Sequence, residues 1–158
     1  LNDGAVAQLR SKAEIPLDNN SATNCPFTAD GSPLKVLIAE DNIVNQMVIK
    51  AMLDKLACDV AIASNGKIAV EKYQSYKPDV ILMDRHMPIM DGVEATRRIR
   101  ASERPGLSAV PILGLTASVY PAEVRECVEA GMNSVLEKPL EPERILEALA
   151  TVGSKSSA

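Results

Sequence analysis

The chain has no tryptophan, one phenylalanine and one histidine, and aromatics make up only 3% of its 158 residues. Any core must therefore be aliphatic, built from the valine, isoleucine, leucine, methionine and alanine that dominate an apolar content of 46%. There is no basic block: the formal charge is −4, and lysines and arginines are scattered apart from Arg97, Arg98 and Arg100. Direct nucleic-acid binding by this chain is disfavoured. The three cysteines, Cys25, Cys58 and Cys127, are odd in number, far apart and without a CxxC pair. That speaks against a disulfide framework and for a reduced, cytoplasmic chain. No apolar run approaches the roughly 18 residues that suggest a membrane span, and no signal peptide is visible. Neither GxGxxG nor GxxxxGKS/T occurs, which counts against ATP or dinucleotide binding through a glycine-rich phosphate loop. Leu1 in place of methionine is read as a sign of a longer protein, with any membrane anchor in the remainder.

What is present begins in earnest at Lys35. Residues 1–34 include "PLDNNSATNCPFTADGSP", rich in Asn, Ser, Thr, Asp and Pro, and read as a linker or disordered arm. From there apolar strand-like runs alternate with helix-periodic stretches. "KVLIAE" precedes "DNIVNQMVIKAMLDKLA", where Ile43, Val44, Met47, Val48, Ala51, Met52 and Leu56 recur at the spacing of an amphipathic helix,. "DVAIAS" precedes a helix with Ala69, Val70 and Tyr73 on one face. "PDVILMD" precedes one with Val93, Thr96 and Ile99 inward, and "VPILGLTA" one opened by Pro121 and closed by Gly131,. "NSVLEK" leads to a last helix with Ile145, Leu146 and Leu149 on one face. The domain is placed at 35–153, with a tail over 154–158. Five strands alternating with five helices predict an α/β fold, a five-stranded parallel sheet between two helical layers. Such sheets put their chemistry in the crevice beyond the strands' carboxyl ends.

At those ends stand Glu40 and Asp41, Asp84, Thr116 with Ala117, and Lys138 before Pro139. Three converging carboxylates repel one another and raise each other's pKa values. Lys138 supplies one positive charge, and a divalent cation with hard oxygen ligands, best Mg²⁺, would supply more. Asp84 then becomes a credible nucleophile for a phosphoryl group. The Thr116 hydroxyl would hydrogen-bond a phosphoryl oxygen, and the small Ala117 leaves room beside it. Taken singly the residues have plainer roles: Asp41 or Asp91 as a helix cap, Lys138 as a surface residue, and Met83, Met87, Met90 and Met132 as core filler. It is the constellation at one rim that points to a site.

The motifs "VLIAEDN", "VILMDRHMPIMDG", "LGLTA" and "LEKPL", in this order, make Lys35 to about Val152 resemble the receiver domain of two-component response regulators. The resemblance implies a flavodoxin-like (βα)5 fold, a three-layer sandwich, that takes a phosphoryl group from a phosphohistidine onto Asp84. It implies Mg²⁺ held by the Asp41 and Asp84 side chains, by Glu40 through water, and by the backbone carbonyl of His86. Thr116 and Lys138 would contact the phosphoryl group, and the Lys138–Pro139 bond would be cis. The expected partner is a histidine kinase or histidine phosphotransfer domain, and the expected state is a monomer or weak dimer. "AEDNIVNQMV" and "LTASVYPAEVRECVEAGMNSVLEKPL" resemble receivers of hybrid histidine kinases; a freestanding receiver, or one joined to an output domain, is the other option.

Two positions depart from the family's common pattern. Val135 stands where many receivers carry a Tyr or Phe that turns inward on activation, and it has no ring to swing. His86, two residues past Asp84, should overhang the pocket, either as a plain loop side chain or as a group that tunes hydrolysis of the aspartyl phosphate. An aspartate-nucleophile phosphatase is the competing reading; such enzymes place an acid two residues after the nucleophile, where this chain has His86. A flavin-binding module is weakened by the missing phosphate loop and the acidic crevice.

Overall fold

The computed structural model describes residues 31–104 and 109–157. Almost all of the expected N-terminal arm, Cys25 included, lies outside the described residues. The elements alternate as the periodicities require: β1 (Lys35–Ala39), α1 (Ile43–Lys55), β2 (Asp59–Ala63), α2 (Gly66–Tyr76), β3 (Val80–Asp84), α3 (Gly92–Ser102), β4 (Ile112–Thr116), α4 (Pro121–Ala130), β5 (Ser134–Glu137) and α5 (Pro142–Ser157). The last helix runs on over residues expected as a tail. All neighbouring strands are parallel, in the order β2-β1-β3-β4-β5. The chain winds one way from β1 to β2 and the other way from β3 onward, so the strand order switches between β1 and β3.

Period-two alternation sorts the strand side chains into two cores. Leu37, Ala39, Ile81, Met83 and Ile112 face a layer holding Ala69 of α2, Val93, Ala95 and Ile99 of α3, and Cys127 and Ala130 of α4. Val36, Ile38, Val80, Leu82, Leu113 and Leu115 face Ile49 and Leu53 of α1 and Ile145 and Leu149 of α5. β3 and β4 are buried along their whole length, which is why they read as unbroken apolar runs. The faces expected of α2, α3 and α5 are the ones that pack, with Val70, Tyr73 and Leu146 half-buried. Of the expected methionine filler, Met83 and Met132 are buried, and Met87 and Met90 pack against the same core.

The first helix departs from expectation. Ile43, Val44 and Met47 are 68%, 65% and 65% exposed, and Val48 is also exposed, while Ile49 and Leu53 are buried and Met52 and Leu56 pack beside them. At 100° per residue, Ile43, Val44, Met47 and Val48 lie on the opposite side of the cylinder from Ile49 and Leu53. The helix is apolar on both faces, and the sheet covers only one of them. Its amino end, where the uncovered stripe is concentrated, stands at the carboxyl rim of the sheet.

The helix starts are fixed locally. Asn42, Asn65 and Asp91 are N-caps whose side-chain oxygens accept from the backbone N–H groups of Asn45, Ile68 and Glu94 at 3.0, 2.9 and 2.8 Å,. Asp91 is thus a cap, as its plainer reading allowed, and Asp41 is not. Gly92 opens α3 directly against β3: a Cβ there would run into the Asp84 carbonyl oxygen and the Met83 side chain. Replacing Gly92 with alanine is expected to destabilise the domain by about 2 kcal/mol or more, as overpacking against rigid backbone does. A urea midpoint equal to that of the wild type would show that α3 can retreat from β3 at no cost.

Candidate functional site

β1 delivers Glu40 to the rim almost fully buried, with its backbone N–H donating to Ala63 O at 2.9 Å. The start of α1 wraps it. Oε2 of Glu40 accepts from the Asn42 N–H at 3.2 Å and from Asn45 Nδ2 at 3.3 Å, and Gln46 Nε2 donates to the Glu40 carbonyl at 2.6 Å. The other oxygen, Oε1, lies 3.1 Å from Lys138 Nζ, but the angle leaves it without a directed hydrogen bond. Asn45 and Gln46 escaped the sequence reading because polar residues in a helix's first turn are ordinary.

Asp84 ends β3, is 4% exposed, and pairs in register with Leu115 of β4. Its Oδ1 lies 3.1 Å from the same Lys138 Nζ. Carboxylate oxygens of Glu40, Asp41 and Asp84 come within 4.8 Å of one another, with Asp41 the exposed member. Burial first, and the neighbouring Glu40 charge second, push the Asp84 carboxyl up to about 6, against the opposing pull of Lys138 and of the His86 backbone N–H,. Burial works against the Lys138 ammonium, but its contacts to Glu40 and Asp84 outweigh that and raise its pKa.

Thr116 ends β4 one residue beyond the partner of Asp84; its carbonyl accepts from the Lys138 N–H at 2.7 Å and its Oγ1 from the Ser118 N–H at 3.3 Å. Ala117 follows, exposed. The Lys138–Pro139 peptide bond is cis. The His86 ring is exposed and turned toward its neighbour, with Nε2 2.7 Å from Arg85 Nη1. Glu40, Asp41, Asp84 and Lys138 are thus brought together, with Thr116 and Ala117 on the adjoining strand end.

The loop from Arg85 to Asp91 is held shut. Gly92 N–H donates to the Arg85 carbonyl at 2.9 Å, and Met90 N–H to the Pro88 carbonyl at 2.7 Å. The second bond closes a three-residue turn on Ile89, whose φ of 70° is costly for a β-branched side chain,. Ile89 is 79% exposed at this tip. No insertion that could cap a substrate follows Asp84, and the phosphatase reading is not favoured.

The family model of the response regulator receiver domain matches residues 36–150. Hybrid signal transduction histidine kinase I of Dictyostelium discoideum is 36% identical over 143 residues, covering 85% of this chain and 8% of that kinase. Among solved structures, the receiver domain of the sensor histidine kinase PA1611 from Pseudomonas aeruginosa, determined with magnesium in its active-site cleft, is 40% identical with a TM-score of 0.67, covering 76% of this chain and 99% of that one. The receiver domain of the response regulator Ssk1 of Saccharomyces cerevisiae, solved with the histidine phosphotransfer protein Ypd1, superposes with a TM-score of 0.73 at 29% identity over 80% of this chain and 92% of that one. The chain belongs to the response regulator receiver domain family, with the flavodoxin-like α/β fold of that family. Among the described residues, no helix is long and apolar enough to cross a membrane.

The raised Asp84 pKa has a consequence for stability. The folded state keeps the Asp84 proton up to about pH 6, whereas an unfolded chain releases it near 4. Folded protein therefore binds more protons in that window, and stability falls as pH rises through it. Asp84→Asn removes the penalty. Without divalent cations it is expected to stabilise the domain above pH 6, by on the order of 2 kcal/mol, and to lose that advantage toward pH 4. Urea unfolding of both proteins in chelator at pH 4.5 and 7.5 measures it; a gain independent of pH would assign the effect to packing instead.

Proposed function

We propose that Asp84 is the phosphoacceptor of a phosphorelay, receiving the group from a phosphohistidine on a histidine kinase or histidine phosphotransfer domain, with the chain serving as the receiver of a hybrid histidine kinase on the cytoplasmic side. The observation that carries this is the placement of Lys138 Nζ 3.1 Å from both Glu40 Oε1 and Asp84 Oδ1. In the transfer, a carboxylate oxygen of Asp84 attacks phosphorus. The P–N bond to the imidazole breaks, and the leaving nitrogen keeps the bonding pair. Negative charge spreads over the phosphoryl oxygens, and the ammonium already beside Asp84 meets it without reorganisation. The Thr116 hydroxyl, engaged only by a long contact from Ser118 N–H, is free to turn and donate to a phosphoryl oxygen. The methyl of Ala117 leaves that side open.

The donor set suits a hard divalent cation. The three carboxylates are oxygen-only, the exposed Asp41 gives access from solvent, and the buried Glu40 Oε1 has an acceptor position to spare,. Asp41 and Asp84 would hold Mg²⁺ by side chain, Glu40 through water and His86 by its carbonyl. When bound, the ion neutralises phosphoryl charge that Lys138 alone leaves uncompensated.

The uncovered stripe of α1, with Ile89 on the same rim, is the surface on which the donor would dock. A helix bearing the phosphohistidine can lay an apolar face on Ile43, Val44, Met47 and Val48 and still reach Asp84. The likeness to a receiver crystallised with a histidine phosphotransfer protein supports this reading. The chain spans only 8% of the Dictyostelium kinase, and a sensing segment would lie in the rest of such a protein.

Intact mass after treatment with acetyl phosphate is expected to rise by one phosphoryl group only with Mg²⁺ and only with Asp84 present; loading of Asp84→Asn to the same extent would overturn the assignment. The double variant Val44→Ser, Met47→Ser is expected to load normally from acetyl phosphate but to accept from a phosphorylated histidine phosphotransfer protein about tenfold more slowly, the scale of losing central apolar contacts in an interface. Equal slowing with both donors would remove α1 from the docking surface.

A further inference from the structure

The first turn of α1 holds Glu40 by its backbone and by its side chain. Gln46 Nε2 donates to the Glu40 carbonyl, one residue past the end of β1, at 2.6 Å. The Asn42 N–H and Asn45 Nδ2 both donate to Glu40 Oε2, at 3.2 and 3.3 Å. The turn itself is locked by its cap. Asn42 Oδ1 accepts from the Asn45 N–H at 3.0 Å, and the Asn42 carbonyl accepts from the Gln46 N–H at 2.9 Å. None of the donors to Glu40 carries a charge. A buried charge is normally paired or coordinates a metal. Among the described residues, the one cation in contact with Glu40 is Lys138, which is shared with Asp84. The amides therefore restrain the carboxylate and leave its charge uncancelled. Glu40 is 1% exposed, its Oε1 accepts no directed hydrogen bond, and its carboxylate lies in one cluster with those of Asp41 and Asp84.

We propose that Asn45 is a positioning residue of the cation site, whose carboxamide holds Glu40 at Oε2 and leaves Oε1 to serve the ion. This rests on the fit of the rim carboxylates to a hard divalent cation, and its kinetic consequence rests on Asp84 as the phosphoacceptor. Immobilising a long side chain such as glutamate costs up to about 2 kcal/mol of rotamer freedom. With Oε2 tied by two amide donors, that cost is met in folding and not when the ion arrives. Without Asn45, Oε2 keeps only the Asn42 N–H, and the carboxylate is left to turn about its side-chain bonds. Gln46 acts differently. It holds the Glu40 carbonyl, so it fixes where β1 ends and not how the carboxylate is turned.

Mg²⁺ binding to the full chain tests this with no phosphodonor present. Titration of ¹⁵N-labelled protein with MgCl₂, followed through backbone amide shifts, gives the affinity and shows that the fold is intact. Asn45→Leu keeps the side-chain size, loses the donors and raises helix propensity, so a weaker site could not come from a weaker helix. It is expected to bind Mg²⁺ about tenfold more weakly than the wild type, the scale of losing an outer partner of a metal ligand. Asn45→Gln, which keeps the carboxamide, is expected to recover part of the loss. In a Glu40→Ala background, Asn45→Leu is expected to weaken binding no further. Gln46→Leu is expected to lower the urea midpoint and to weaken Mg²⁺ binding less than Asn45→Leu does. In loading from acetyl phosphate, Asn45→Leu is expected to need more Mg²⁺ for half its maximal rate, by the factor seen in binding. Unchanged Mg²⁺ affinity in Asn45→Leu, an equal loss when Glu40 is already alanine, or no Mg²⁺ binding by the wild type overturns the proposal. A wild type that binds Mg²⁺ and does not load would instead sink the phosphoacceptor reading, and the affinities alone would then decide the role of Asn45.

Discussion

One ammonium holds the rim of this domain together. Lys138 Nζ sits 3.1 Å from a carboxylate oxygen of Glu40 and 3.1 Å from one of Asp84, and both carboxylates are almost sealed from water. They come from β1 and β3, neighbours at the point where the strand order switches. Lys138 follows β5, two strand spacings or about 10 Å from β3, so its stem must cross the end of β4. The β4 end ahead of it carries Thr116 and then Ala117, which leaves the lysine a path.

The pairing is incomplete by construction. A single positive charge faces two buried negative ones and a third, Asp41, within reach. Burial, and after it the uncompensated Glu40 charge, raises the Asp84 pKa and makes the folded site an unfavourable place for charge,. A domain optimised for stability alone would place a second cation or a neutral side chain here. The aliphatic layers on both faces of the sheet supply the stability that lets the rim keep this strain, and the Asn42 N–H and Asn45 side chain at the start of α1 hold one oxygen of Glu40 while the other lies 3.1 Å from the lysine.

Much of this was legible in the sequence, and the reasons differ by element. β3 and β4 are covered on both faces, so their apolar runs state their position without ambiguity, and an aspartate closing such a run must be at a rim. The α3 stripe of Val93, Thr96 and Ile99 is the only apolar face its helix has, so period and burial agree. In α1 they do not. Apolar residues surround the first turns of that helix, and periodicity alone could not tell the face over the sheet, Ile49 and Leu53, from the face left to solvent. Arg85 was equally invisible, since its partners Glu123 and Glu126 lie some forty residues on and meet it only once α4 is laid beside α3. A local pattern reports neighbours on one element; contacts between elements need the fold.

Val135 offers no ring for an aromatic switch. It packs half-buried against the core beside Gly114 and Met132, with no ring that could alternate between two positions. A string of polar contacts runs from the Thr116 hydroxyl through Ser118 N–H, from Ser118 Oγ to Glu123, and from Glu123 and Glu126 to Arg85 beside Asp84. The two ends of this string flank Asp84, and its middle is the first half of α4. Were Thr116 drawn toward a phosphoryl group, the first contact would break and Ser118 and Glu123 would lose their present geometry. Each such contact contributes about 1 kcal/mol net, so a handful of them would set any second placement of α4 a few kcal/mol away. A gap of that size is one that a single phosphoryl group, binding the two placements unequally, is able to reverse.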